Sequence, residues 1–439
     1  TGTDPNLCRL IFNVARSGRM QAFDSTLKQS EITTHPPAWG AVFSMALCVV
    51  VLIASEFMPV SLLTPIAQDL GINQGQAGQA ISISGFFAVL TSLLNTPLTR
   101  HLDRKPVLLG FSLLLLVSGV IVTLASNGWL FMTGRALLGI AIGGFWSMST
   151  ATVMKLVPKQ SVAKGLALIN GGNALAATVA APLGSFMGQY IGWRGAFFLV
   201  IPLAALAFAW QWLSLPAMRS QPNNRARNPF RLLRNPQVAV GMSAILLLFM
   251  GQFAVFTYLR PFLEEITGVS VNALSLMLLV LGASGLVGTY LIGRLLHTGL
   301  YACLIAIPLL MAVLAVALTG LGHSPQSVAI VLAVWGLIAT PAPVAWGLWL
   351  SRTLPDDAEA GGGLMVATIQ LAITAGAGIG GALFDSLGWW SPFAFGGVLL
   401  ACSAALAWTA RDNASLQESN TGQGRADKRG SISQRGNTP

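Results

Sequence analysis

Gly40-Ala-Val-Phe-Ser-Met-Ala-Leu-Cys-Val-Val-Val-Leu-Ile-Ala-Ser-Glu-Phe-Met-Pro-Val-Ser-Leu-Leu63 holds a single charged residue, Glu56. A helix rises about 1.5 Å per residue, so this stretch is long enough to cross a hydrocarbon core of roughly 30 Å. Reading outward with the same window gives eleven further stretches, near 78–98, 106–126, 129–154, 165–190, 195–215, 238–259, 272–294, 301–321, 327–350, 362–384 and 392–410. Charged residues make up only 9% of the 439 positions, hydrophobic ones 54%, and the mean hydropathy is +0.68. An ordinary soluble domain carries about 25% charge, so a water-soluble fold is excluded. The sequence predicts an all-α membrane protein of twelve transmembrane helices.

The formal charge of +10 invites a nucleic-acid reading, but the positions of the bases argue otherwise. All Lys and Arg except Arg135, Arg194 and Arg260 fall in the termini or in loops that alternation assigns to one face. That asymmetry is the positive-inside rule, which predicts both termini in the cytoplasm and a topology and lipid-headgroup signal, with no nucleic-acid partner. Cys8, Cys48, Cys303 and Cys402 lack CxxC spacing, so neither a disulfide framework nor a metal site is expected. No Ser/His/Asp or HExxH constellation falls in a span, so the chain is not read as an enzyme.

A polar stretch with four prolines and five arginines, 216–236, divides the spans six and six. The expected organisation is a disordered cytoplasmic tail over 1–38, a six-helix bundle over 39–215, a cytoplasmic linker over 216–236, a second bundle over 237–410 and a tail over 411–439. We expect Met20 as an alternative start. The bundles match each other at one offset. Lys155-Leu-Val-Pro158 falls on Arg352-Thr-Leu-Pro355 with a shift of 197, and Gly192-Trp-Arg-Gly-Ala-Phe197 falls on Gly388-Trp-Trp-Ser-Pro-Phe393 with a shift of 196. A repeat that crosses six spans keeps its orientation, as parallel repeats about an axis along the membrane normal require.

Of the acidic residues only Glu56 falls well inside a span, and of the bases only Arg135. An intramembrane carboxylate faces a cavity, finds a partner or takes up a proton. Glu56 lies about 10 Å below the outer end of its span and Arg135 about 9–10 Å below the outer end of its own, at about 1.5 Å per residue. Two readings of Arg135 stand side by side: it favours the ionised form of Glu56 as a coupling partner, or it hydrogen-bonds backbone carbonyls.

Between Trp39 and Ala410 the chain resembles the drug/proton antiporter branch of the major facilitator superfamily, and within it the bacterial purine ribonucleoside exporters. The resemblance rests on the acidic first-span motif from Glu56 to Gly71 and on Gly134-Arg-Ala-Leu-Leu-Gly-Ile-Ala-Ile-Gly-Gly-Phe-Trp146, where Arg135 is followed by Gly four and eight residues later. In Thr99-Arg-His-Leu-Asp-Arg-Lys-Pro106 the family's loop glycines are lost but Asp103 and Arg104 survive, which implies a gating latch on the cytoplasmic side. Ala177-Thr-Val-Ala-Ala-Pro182-Leu-Gly184 is a degraded form of the family's fifth-span motif, and Pro182 and Gly184 keep the bend and the close approach that it supplies.

The family also implies that spans one, four, seven and ten line the cavity. Trp146, Ser147, Phe249, Gln252, Phe253 and Trp346 then become candidate substrate contacts: aromatic faces with a few polar groups suit a flat, uncharged solute. The reading is proton-coupled antiport of a small neutral solute, a purine ribonucleoside such as inosine, by a monomer in the bacterial inner membrane. It uses no cofactor besides the coupling proton, carried at Glu56 with Arg135. Multidrug or sugar efflux on the same fold is the alternative, and a non-transporting membrane sensor the remote one.

Overall fold

A computed structural model describes residues 38–99, 102–218, 229–354 and 357–411. The expected tails, apart from Ala38 and Arg411, and residues 219–228 of the expected linker lie outside these residues. Within them run helices α1 (Trp39–Leu70), α2 (Gln74–Thr99), α3 (Arg104–Thr123), α4 (Gly128–Leu156), α5 (Val162–Phe198), α6 (Val200–Ser214), α7 (Pro236–Thr257), α8 (Leu259–Glu265), α9 (Val271–Thr298), α10 (Leu300–Leu321), α11 (Pro325–Ala339), α12 (Ala342–Thr353), α13 (Ala358–Leu387) and α14 (Ser391–Arg411). Among the described residues there is no strand.

Prolines and glycines explain how fourteen helices make twelve spans. Pro261 cannot donate to the carbonyl four residues earlier, so the seventh span breaks at Tyr258 and resumes as α8. Pro341 and Pro343 divide the tenth span into α11 and α12 in the same way. The fifth and sixth spans part at Gly192, where φ is 71° and ψ is 168°. Gly388 takes φ 95° and ψ 178° at the equivalent place in the second half. Such backbone is open almost only to glycine, so the sequence match at these two positions is a match of conformation. The first span extends beyond the expected 40–63 because Pro59 and Pro65 sit inside α1 without ending it.

The repeat is also visible in packing. In the first half α1 lies along α5 and α2 along α4; in the second, α7 lies along α13 and α9 along α11. A Cβ on Gly139 would stand 2.1 Å from the carbonyl oxygen of Ser84, and one on Gly336 would stand 2.0 Å from that of Leu281. Both members of this pair are displaced by the same 197 residues. Gly143 against Ala88 reappears as Thr340 against Gly285, with the small residue moved to the facing helix. Without a hydrophobic drive between helices in lipid, such backbone approach is what holds each half together.

The halves meet through α2 with α13, α5 with α9, and α1 with α8. Hydrogen bonds across this seam run from Ser82 Oγ to Thr374 O (2.8 Å) and Gln79 Nε2 to Gly378 O (3.1 Å) outward to Gly75 N to Asp385 Oδ1 (3.0 Å) and Gln74 Nε2 to Glu265 Oε1 (2.6 Å). Ser275 Oγ donates to Ser185 Oγ at 2.9 Å on the other pair of helices. This band lies at the end carrying the turns after Leu70, Glu265 and Leu387. Among the described residues, the hydrogen bonds that close the seam gather at this end.

Candidate functional site

Glu56 is 2% exposed in the middle of α1, where the two halves come together. Gln370 of α13 lies beside its carboxylate, and Oε1 is buried without a hydrogen-bond partner among the described residues. Phe57, the next residue, stacks on Phe253 of α7 at 5.8 Å between ring centroids and meets Phe256 edge to face at 6.3 Å. A titratable group therefore meets a side chain of the opposite half, and its neighbour in sequence packs against two aromatic rings of that half. A carboxylate so placed is costly when charged, and any motion that parts the halves changes its surroundings at once.

Arg135 is fully buried on α4. Its donors go to backbone and hydroxyl oxygens: Nη1 to Ser55 O (2.6 Å), Nη2 to Glu56 O (3.2 Å) and to Ser84 Oγ (3.0 Å), and Nε to Ala80 O (3.1 Å). The reason for the shortest of these lies in the sequence of α1. Pro59 has no N–H, so the carbonyl of Ser55, four residues back, has no helical donor. A carbonyl left unpaired in a membrane costs several kcal/mol, and a guanidinium can supply the missing bond with donors to spare for α2. No ion pair joins the Arg135 and Glu56 side chains among the described residues, so contact with α1 is through its backbone. Of the two sequence readings of Arg135, the carbonyl clamp is the one with direct contacts, and Glu56 remains a charge nearby.

The profile of the Major Facilitator Superfamily matches residues 45–362. The transcription regulatory protein OpdE of Pseudomonas aeruginosa is 53% identical over 384 residues, covering 86% of this chain and 95% of its own. The purine ribonucleoside efflux pumps NepI of Escherichia coli K12 and of Shigella sonnei are each 44% identical over 370 residues, covering 84% of this chain and 93% of theirs. The chain belongs to the major facilitator superfamily. It is a multi-pass inner-membrane transporter of small molecules, not an enzyme.

In this major facilitator transporter the other residues singled out in the sequence are distributed as follows. Phe253, 6% exposed, stacks on Phe57; Phe249 is buried one turn away, and Gln252 keeps a buried Oε1 without a partner among the described residues. Ser147 accepts a hydrogen bond from Asn95 Nδ2 at 2.8 Å, next to a half-buried Trp146, and so ties α4 to α2. Trp346 is enclosed in the core of the second half, edge to face with Trp349 at 5.3 Å. Gly184 lets α5 pack on α1, where a Cβ would stand 2.7 Å from Ser61 Oγ, and Pro182 lies in the same helix.

Asp103 caps α3 by accepting from Lys105 N (2.9 Å) and from Met218 N (3.0 Å). Arg104 N donates to Met218 O at 3.2 Å, so this pair binds the end of its own half. Partial burial pushes the Asp103 carboxyl up. The two N–H groups with Lys155 and Lys105 outweigh that and hold it below its usual value.

Two residues at the closed end escaped the sequence reading. Tyr258, buried at the break in the seventh span, donates to Ala377 O at 2.8 Å and presses against Gly78 of the other half. Arg260 reads in sequence as a loop base, yet it is 5% exposed, pairs with Glu264 at 2.7 Å and donates to Ser61 O of α1. Its signal was present all along: Pro65 stands four residues after Ser61, as Pro59 stands four after Ser55.

Proposed function

We propose that this transporter exports purine ribonucleosides such as inosine in exchange for protons, by alternating access between its two halves. The observation that carries the reading is Glu56, a carboxylate buried at the seam beside Gln370 of the opposite half, with the adjoining Phe57 packed on Phe253 and Phe256 of that half. A proton on Glu56 removes a buried charge, and a solute that occupies the same place competes with that protonated state. One site thus couples two ligands with no further machinery. Base-poor loops at the closed end support a periplasmic position for it, with both termini cytoplasmic. The protein then stands closed outward, ready to receive solute from the cytoplasm. The transporter works as a monomer, the proton its only coupling partner.

One carboxylate beside a neutral amide, with aromatic rings on the adjoining residue, suits an uncharged heterocycle better than a cationic drug, and the efflux pumps at 44% identity carry purine ribonucleosides in their name. One-for-one exchange of a proton for a neutral solute moves one positive charge inward per cycle. The membrane potential then adds about 2.3 kcal/mol per 100 mV to the pH gradient.

The name of the Pseudomonas relative supports a second reading, a regulatory membrane protein that does not transport. Uptake of radiolabelled inosine by inverted vesicles under an imposed pH gradient separates the two. Gradient-dependent uptake sustains export. Absence of uptake of inosine, a cationic drug and a sugar by correctly inserted protein sustains the regulatory reading. Uptake of the drug or sugar alone keeps the transporter and rejects the nucleoside.

A further inference from the structure

The two prolines of α1 free two carbonyls, and each is met by an arginine. Pro59 frees Ser55 O, which Arg135 of α4 satisfies within the first half. Pro65 frees Ser61 O, and the donor it receives is Arg260 Nη1 of α8, in the second half. The first bond lies inside one rigid bundle and persists as the halves move. The second crosses the seam and exists only while the outer end is shut.

We propose that Arg260 is a positioning residue for transport: it holds the outer end closed by donating to the one carbonyl at that depth of α1 that its own helix cannot satisfy. The inference rests on the alternating-access reading given above.

Three features of the surroundings make Ser61 O dependent on Arg260. Ser61 is 0% exposed, and its hydroxyl is already committed to Met58 O at 3.0 Å. Gly184 packs α5 so closely on the same residue that a Cβ there would stand 2.7 Å from Ser61 Oγ, which keeps a replacement donor from that side out. Arg260 is itself fixed by Glu264, through Nε at 2.8 Å and Nη2 at 2.7 Å to the same Oε1, so it meets the carbonyl already aimed. Parting of the outer end removes Arg260 and Glu264 together with the second half. Water entering the gap then takes over at Ser61 O. The same parting breaks Gly75 N to Asp385 and Gln74 to Glu265, but those groups lie at a helix end, open to solvent replacement. Arg260 with Ser61 is the buried, charge-assisted member of the set; the buried Ser275–Ser185 bond joins two neutral hydroxyls.

The test is the reactivity of a cysteine at Ser82, which is 8% exposed and bonded across the seam to Thr374 O. Ser82→Cys is introduced after replacing the four native cysteines by serine, and labelling by a membrane-impermeant maleimide is followed in right-side-out vesicles without substrate. Arg260→Gln removes the guanidinium and its charge, and its shorter amide does not reach Ser61 O. Pro65→Ala leaves Arg260 in place but gives Ser61 O a helical N–H of its own, and it preserves the fold where the arginine variant does not insert.

Each change should accelerate labelling about tenfold or more, the population shift that loss of one charge-assisted hydrogen bond produces. The double variant should be no faster than Arg260→Gln alone, because both changes remove one interaction. Unchanged labelling in Pro65→Ala overturns the proposal. So does an additive double variant, which would show that Pro65 acts by bending α1. Acceleration confined to inverted vesicles would support the latch and reverse the topology. Since no inosine is present, failure of the nucleoside reading leaves the result intact.

Discussion

Arg135→Met decides whether this arginine serves the backbone or the carboxylate. Four acceptors lose their donor: Ser55 O, Glu56 O, Ala80 O and Ser84 Oγ. Three of these keep other opportunities. Glu56 O and Ala80 O have N–H groups four residues on, at Val60 and Ser84, and Ser84 Oγ still donates to Ile81 O at 3.0 Å. Each loss there costs about 0.5–1.5 kcal/mol. Ser55 O is different, because residue 59 is proline, and an orphaned buried carbonyl costs about 1–3 kcal/mol. Together these give about 2.5–7.5 kcal/mol, which brackets the roughly 3–5 kcal/mol met when one partner of a buried charged group is removed.

The diagnostic step is rescue. Pro59→Ala supplies the missing N–H to Ser55 O, so Pro59→Ala with Arg135→Met should recover about 1–3 kcal/mol relative to Arg135→Met alone. Glu56→Gln with Arg135→Met should recover less, since the carbonyls stay unpaired. The assay is reversible unfolding in mixed detergent micelles, followed by circular dichroism on the three single and two double variants. Rescue by Glu56→Gln with none from Pro59→Ala would refute the clamp and make Arg135 the counter-ion of Glu56.

Further outcomes follow from the same geometry. Phe57→Ala and Phe253→Ala should raise the KM for substrate, whereas Trp346→Ala, deep in the second half, should cost about 3–5 kcal/mol of stability and leave KM unchanged; uptake kinetics with thermal melts will tell. Gly139→Val and Gly336→Val should destabilise the two halves to a similar degree, since each Cβ would collide with a carbonyl at 2.1 or 2.0 Å, while Gly171→Ala should be neutral or mildly stabilising in the same melts. Asp103 has its carboxyl below its usual value in the fold, so its stabilising effect is present above the ordinary 3.8 and is lost as pH falls through the folded value. The stability gap between the parent and Asp103→Asn should therefore stay level at neutral pH and close in acid.

Much of this was legible in the chain, for identifiable reasons. Twelve spans follow from hydropathy because lipid leaves the backbone no other solution than helices. The repeat was legible because Gly192 and Gly388 need a conformation that only glycine tolerates, so the residue type survives where its neighbours vary. Glu56 stood out as a lone acid in an apolar run. What the sequence did not yield was partnership. Arg135 and Glu56 lie at similar depth, which suggested a pair, but depth does not fix the face of a helix, and the guanidinium turns to the carbonyl freed by Pro59. Trp346, whose place in span ten points it toward the cavity, is enclosed beside Trp349 in the second half. The break at Pro341 and Pro343 resets the helix phase, so α12 could not be extrapolated from α11. Arg260 reads as a loop base because charge next to a turn is usually solvated. Only the spacing from Ser61 to Pro65 shows that a donor is wanted inside the membrane.

Glu56 as the proton carrier is the centre of the account, and Glu56→Gln tests it most directly. Parent and variant are reconstituted in vesicles, and two quantities are measured with labelled inosine: accumulation against a gradient driven by an imposed pH difference, and exchange at equal pH. The account predicts that the parent does both, while the variant, which holds a permanently neutral side chain at this position, exchanges inosine but does not accumulate it. Accumulation by Glu56→Gln equal to that of the parent would contradict the account and place the coupling proton elsewhere in the protein.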